Sequence, residues 1–146
     1  MATLVATEGR SPRATGSRMW VDEGGRIVGS VTIGGCVDAR VIEASARALE
    51  ENEPALLSMA LGDEDAWAIG MTCAGTIEVL VEPVESSIAT ALDVAAMEVN
   101  EGRAVVIVAP LEGASRRLVV MQSGVLQGTL GDSRLDAAVA RQAASL

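Results

Sequence analysis

The sequence predicts an α/β fold: a mixed sheet with flanking helices, built from a degenerate strand-turn-strand-helix repeat. Short segments of alternating polarity between turn glycines predict strands near 2–7, 17–22, 26–32, 55–60, 76–82, 103–109, 116–121 and 125–130. Longer segments with apolar residues three or four positions apart predict helices near 37–51, 87–100 and 133–145.

Two of these helices have a predicted buried face. In the first helix the face comprises Val37, Val41, Ala44, Ala48 and Leu49. In the second helix it comprises Ile88, Leu92, Ala95 and Val99.

The repeat emerges when residues 17–31 are aligned with residues 116–130. The matched pairs are Arg18 with Arg117, Gly25 with Gly124 and Gly29 with Gly128. The helices then correspond as "VDARV" and "LDAAV", after a gap of one residue. We therefore expect one domain over 1–146, in which copy one spans about 2–51, a connecting segment 52–84, and copy two about 103–146.

Two loops distinguish the copies. Copy one has eight residues, "RSPRATGS", between its Glu-Gly pair and Arg18, where copy two has three before Arg117. Copy one also has "TIGGC" before its helix, where copy two has "GDSR". Because copy two lacks both loops, the predicted fold does not require them. Loops on a rigid scaffold commonly carry function, so we expect these two to do so.

The composition excludes several classes of function. A formal charge of −9 and only two aromatic residues, both tryptophan, argue against nucleic acid as a partner. Because the sequence contains no histidine and no lysine, it cannot form Ser-His-Asp or Cys-His catalytic pairs, His-ligated metal sites, a Walker A lysine or a Schiff base. The spacing of its two cysteines, Cys36 and Cys73, matches no zinc or thioredoxin-like pattern. We expect a cytoplasmic protein without a membrane span.

Cys36 directly follows two glycines, Gly34 and Gly35, and directly precedes a predicted helix. The glycines allow backbone N–H groups to approach a ligand, and the start of the helix favours an anion, including a thiolate. This pattern predicts an oxyanion site beside a soft metal ligand or a sulfur-transfer nucleophile. The alternative is a tight turn in which Cys36 is a small buried apolar residue.

A second stretch, "GDEDAWAIGMTCAG", contains Glu64, Trp67, Cys73 and Gly75. Trp67 could stack on a flat heterocycle whose ring N–H groups donate to Glu64. The alternative is a solvated acidic loop, with Trp67 and Cys73 in the core.

Three stretches of this sequence resemble four sequence blocks of the XdhC/CoxI family of molybdenum-hydroxylase accessory proteins. The blocks "TEGRSPRATGSRM", "GRIVGSVTIGGCVDARVIEA" and "LGDEDAWAIGMTCAGTIEVLVEP" resemble TEGSxPRxxGxxM, GxxxGSxxGGCVE, DEDAW and GxxCGGxIEVxVEP, and they span most of residues 3–83. The remainder, 84–146, matches only loosely.

The resemblance implies a non-catalytic protein that binds molybdenum cofactor and assists its sulfuration or its insertion into xanthine dehydrogenase or carbon monoxide dehydrogenase. It implies three kinds of partner: an apo molybdenum hydroxylase, a cysteine desulfurase and a Rossmann-domain family member, beside a second copy of the chain. Cys36 would contact the metal. The other cofactor-binding residues would be Arg13, Gly34, Gly35, Glu64, Trp67, Cys73 and Gly75.

The sequence departs from the family at Ala74, where glycine is usual, and at Ile33, where a smaller residue is common. It contains no GxGxxG, so we expect a short form without the Rossmann-like domain of longer members. Two alternatives stay open: a persulfide carrier through Cys36, and a structural subunit without a ligand.

Overall fold

The computed structural model describes residues 1–9, 11, 13–32, 36–61, 75–111 and 116–143. The chain divides into two compact units, Met1–Pro83 and Val84–Leu146. Each unit contains an antiparallel sheet, and together the described residues include eight strands and three helices. The predicted α/β class is confirmed. The strands form two antiparallel sheets where the sequence led us to expect a mixed one, because most neighbouring strands follow one another directly along the chain.

Unit 1 is a five-stranded sheet with one helix. Its strands are β1 (Ala2–Gly9), β2 (Arg18–Val21), β3 (Ile27–Gly29), β4 (Ala55–Leu61) and β5 (Gly75–Val81), in the spatial order β3-β2-β1-β5-β4. Helix α1 (Cys36–Glu51) packs against β4 and β5.

The core of unit 1 is almost wholly aliphatic. Its largest fully buried side chains are Leu4, Met19, Val31, Val41, Met59, Ile77, Val79 and Val81. Helix α1 contributes Val41, Ala44 and Ala48 to it, as its apolar spacing predicted. Leu49 was wrongly placed on this face, since it is 39% exposed in the last turn. The helix ends at Glu51 because Asn52 adopts a left-handed conformation, with a φ of 53°, and Pro54 follows.

Unit 2 contains two helices and three strands. The elements are α2 (Ser86–Asn100), β6 (Val105–Val108), β7 (Arg117–Met121), β8 (Leu126–Thr129) and α3 (Ser133–Ala143), with the sheet order β6-β7-β8. Helix α2 packs against all three strands, and α3 packs against β7 and β8.

The buried face of α2 consists of Ile88, Ala91 and Ala95. Val99 was wrongly assigned to it, because its side chain is 62% exposed in the last turn. Gly102 follows the end of α2 with a φ of 74°, and its N–H donates to the carbonyl oxygen of Val99 at 3.0 Å. Hydrogen bonds from Arg103 lower the pKa of the nearby Glu98 carboxyl.

The hairpins β2–β3 and β7–β8 share their register. Trp20 pairs with Val28 in the first hairpin, and the aligned residue Val119 pairs with Gln127 in the second. In each turn a glycine N–H, that of Gly25 or Gly124, donates to the carbonyl oxygen of the residue three positions earlier. The same order of strand, hairpin and helix therefore occurs in both units. That the two copies superpose, leaving loops 10–17 and 32–36 as the differences, stays a prediction.

No helix among the described ranges is long and apolar enough to cross a bilayer.

Candidate functional site

Strand direction sends three loops of unit 1 toward one end of its sheet. β1 and β3 run parallel to each other because each is antiparallel to β2. β5 and β4 are antiparallel neighbours on the other side of β1, and Gly9, Gly75 and Leu61 lie side by side where β1 ends, β5 begins and β4 ends. The segments after β1, after β3 and between β4 and β5 therefore all leave the sheet toward this end.

The strands stop at different levels toward this end of the sheet, which we call the stepped end: β3 stops at Gly29, whereas β1 and β4 continue to Gly9 and Leu61. The last residue of β3, Gly29, pairs with Met19, which pairs with Ala2, whereas β1 continues to Gly9. Seven further residues of strand extend roughly 20 Å. The β2–β3 hairpin therefore does not reach the end of β1, β5 and β4 at which Gly9, Gly75 and Leu61 lie. The chain after Gly29 begins level with Ala2, at the other end of β1.

Arg13 joins the two loops that distinguish copy one. Its Nε donates to the carbonyl oxygen of Thr32 at 3.2 Å, and its own carbonyl accepts from Ser11 Oγ at 2.9 Å. Arg13 is exposed. The contact brings a fixed cation to the segment that leads into α1.

A carboxylate in the first turn of α1 anchors that segment from the other side. Asp38 Oδ1 accepts from Thr32 Oγ1 at 2.7 Å, and its Oδ2 accepts from Ser30 Oγ at 3.3 Å. Ser30 Oγ also donates to the Thr32 carbonyl oxygen and accepts from the Thr32 N–H at 3.1 Å. Thr32 is 3% exposed, so these bonds fix a buried loop residue two positions before Gly34.

Sequence reasoning missed Ser30, Thr32 and Asp38 as site residues. A signal was present, because the aligned helices both carry Asp in their second aligned position. In unit 2 the counterpart Asp136 accepts from Thr129 Oγ1 at 2.6 Å and from the Leu130 N–H at 2.8 Å. In each unit, a hydroxyl group at the end of the hairpin therefore donates to an aspartate in the first turn of the following helix.

Asp38→Ala is expected to lower the free energy of unfolding of unit 1 by about 2 kcal/mol, because it removes a charged acceptor for two hydroxyls. Denaturant unfolding followed by circular dichroism measures this change. Asp93→Ala, which removes an exposed carboxylate of α2, is the control and should change little. Equal stability of both variants would show that Asp38 does not anchor the loop.

The residue before the helix differs between the two units. Asp132 precedes α3, and its Oδ1 accepts from the N–H groups of Arg134 at 2.7 Å and Leu135 at 3.2 Å. A side-chain carboxylate therefore fills the anion position at that helix start. α1 is preceded by Gly35, which has no side chain to do so. The position before Cys36 thus lacks a built-in cap of this kind.

The structure describes only part of the predicted site. Arg13 and Gly75 are described, and Cys36 is the first residue of α1, although its side chain lies outside the described part. Gly34, Gly35, Glu64, Trp67 and Cys73 lie outside the described residues, and their predicted roles stay predictions.

Gly75 has a structural role independent of any ligand. Its φ is 145°, and a Cβ on it would lie 1.9 Å from the carbonyl oxygen of Glu8 and 3.1 Å from Cα of Gly9. β1 and β5 approach too closely here for any side chain.

Comparisons with known proteins fit this arrangement. A crystal structure of a Bacillus halodurans protein described as a xanthine dehydrogenase is similar in fold, with a TM-score of 0.73 and 26% identity over 90% of this chain. The uncharacterized protein YqeB of Escherichia coli is 37% identical over 81 residues, which are 56% of this chain. Residues 1–60 match the XdhC and CoxI family.

The family match confirms the resemblance over β1 to β4, and it includes the hairpin, loop 10–17 and the start of α1. The block at 61–83 lies beyond the matched residues. The chain spans 40% of the length of the Bacillus halodurans protein and 15% of YqeB.

Proposed function

We propose that this protein is a non-catalytic accessory protein in the maturation of a molybdenum hydroxylase. It binds molybdenum cofactor at the stepped end of the unit 1 sheet and assists sulfuration or insertion of the cofactor. Its partners are the apo-hydroxylase and a cysteine desulfurase, and it acts in the cytoplasm. The match to the XdhC and CoxI family and the likeness to the Bacillus halodurans protein support the general role.

One observation carries the proposal of a site: strand direction sends all the segments that bear candidate residues toward the same end of one sheet. Arg13 and Thr32 connect two of these segments directly. The third segment, between Leu61 and Gly75, starts and ends beside Gly9.

The described residues fit an anionic ligand with a soft metal. The start of α1 offers N–H donors and a partial positive charge, and Gly35 leaves that position without a side-chain cap. Arg13 adds a cation on the adjoining loop. Cys36 supplies a thiolate, which prefers soft metals, at the start of this helix. When bound, the cofactor would supply a molybdenum centre to which a sulfur ligand can be added.

The proposal predicts that Cys36→Ser removes most of the bound cofactor. The protein is mixed under anaerobic conditions with molybdenum cofactor released from a donor enzyme and separated by gel filtration, and pterin is measured on the protein fraction. Ser133→Ala is the matched control, because Ser133 begins α3 as Cys36 begins α1. Circular dichroism verifies that each variant is folded.

Equal pterin on wild type and Cys36→Ser would show that the thiol is not a ligand. Absence of pterin from wild type would exclude cofactor binding by this chain alone. In that case, incubation with a cysteine desulfurase and cysteine tests the persulfide carrier directly, since it adds the mass of one sulfur atom at Cys36. Neither pterin nor persulfide would leave a ligand-free structural subunit.

A further inference from the structure

Unit 2 contains a cavity that no comparison assigns and the proposed function does not use. We name it the arginine cavity. Its volume is about 440 Å³, and its lining includes Arg116, Arg117, Ser86, Ser87 and Thr90. No carboxylate occurs among the described residues that line it. In a chain with a formal charge of −9, two arginines without a carboxylate in the same lining are a local excess of positive charge.

Arg116 is held in position rather than free in solvent. Its Nη1 donates to the carbonyl oxygen of Leu130 at 3.2 Å. The guanidinium group lies over Gly131, where a Cβ would come within 1.4 Å of the same nitrogen. Gly131 therefore leaves the space that the guanidinium group occupies. A guanidinium group has five N–H donors, so the bond to Leu130 is compatible with binding an oxyanion.

Arg117 is a buried cation on the same cavity. It is 7% exposed, and its Nη1 donates to the Arg116 carbonyl oxygen at 2.7 Å. Two adjacent arginines thus present two like charges to one concave surface, which favours a ligand with negative charge.

Hydroxyl groups and the first turn of α2 complete the lining. Glu85 precedes α2, and its side chain does not cap the helix. The first N–H groups of a helix have no partner within it and carry a partial positive charge. Ser86 and Ser87 lie beside the cavity, and the Thr90 hydroxyl donates to the Ser86 carbonyl oxygen at 2.8 Å.

We infer that the arginine cavity binds a phosphate monoester, with the phosphate on Arg116 and Arg117 and the organic group in the remaining volume. Arginine presents paired donors that match phosphate oxygens. A cavity of this volume is in the range of sites for small organic molecules and exceeds what a bare phosphate fills. The inference does not depend on the cofactor site, because all residues concerned belong to unit 2.

The test is a calorimetric titration of the full chain with phenyl phosphate, inorganic phosphate and, as an uncharged reference, phenol. Phenyl phosphate should bind most tightly, and inorganic phosphate should bind more weakly. Arg116→Gln should weaken phenyl phosphate binding roughly tenfold. Gly131→Ala should also weaken it, since the new Cβ displaces the guanidinium group but retains its charge. Arg103→Gln is the control, because this exposed arginine of unit 2 pairs with Glu98 and does not line the cavity.

Three outcomes would overturn the inference. Equal weakening by Arg116→Gln and Arg103→Gln would mean that net charge alone determines binding. Equal affinity for phenyl phosphate and inorganic phosphate would exclude a role for the organic group. Binding by neither would exclude the site. Thermal unfolding of each variant without ligand separates loss of the site from loss of the fold.

Discussion

Gly75→Ala should destabilise unit 1 by about 3 kcal/mol or more, because the substitution adds two costs. The φ of 145° disfavours any side chain, and the new Cβ would lie 1.9 Å from the Glu8 carbonyl oxygen. Because that oxygen is backbone paired within β1 and β5, relief requires the two strands to separate. Denaturant unfolding followed by circular dichroism measures the loss.

Gly25→Ala is the matched control. Gly25 also has a positive φ, 76°, but a Cβ there would meet nothing within 4 Å. Only the conformational cost applies, about 1 kcal/mol. If Gly75→Ala were as stable as Gly25→Ala, the close approach of β1 and β5 would not exist in solution.

Gly29→Ala and Gly128→Ala should cause equal losses of about 3 kcal/mol, one in each unit. A Cβ would lie 2.4 Å from the Arg18 carbonyl oxygen at Gly29 and 2.3 Å from the Arg117 carbonyl oxygen at Gly128. Their φ angles are 81° and 82°. The crowding is the same because both glycines face the first residue of the preceding strand across a hairpin.

Hydrogen exchange read residue by residue locates each loss, since protection should fall in unit 1 for Gly29→Ala and in unit 2 for Gly128→Ala. Gly25→Ala and Gly124→Ala are the paired controls, because both have a positive φ and open space. Markedly different losses at Gly29 and Gly128 would argue against equivalent hairpins and against the predicted repeat.

Among the described residues, the position of each strand and helix could be predicted from the sequence, because alternation and helical spacing record which side of each element meets a core. Helix ends were less predictable. Leu49 and Val99 follow the apolar spacing of their helices, yet both are exposed in the last turn. Periodicity reports the direction of a side chain and not whether a neighbour is present there.

The candidate site was predictable in its loops and not in its contacts. Glycines and an unmatched loop marked the segments around Arg13 and Cys36, whereas the bonds of Asp38 to Ser30 and Thr32 depend on where β3 ends relative to α1. Gly75 illustrates the opposite case. Its place in a cysteine-glycine block suggested a ligand, and its geometry reveals a requirement of strand packing.

Unit 1 begins and ends at one point. The Met1 nitrogen donates to the Glu82 carbonyl oxygen at 2.7 Å, and Ala2 pairs with Val81, both at the end of the β1–β5–β4 ribbon opposite to Gly9. A domain whose entry and exit coincide tolerates circular permutation and insertion into another chain. A chain joined to unit 1 at either of these two points therefore begins at the end of the ribbon opposite to Gly9, where β1 ends.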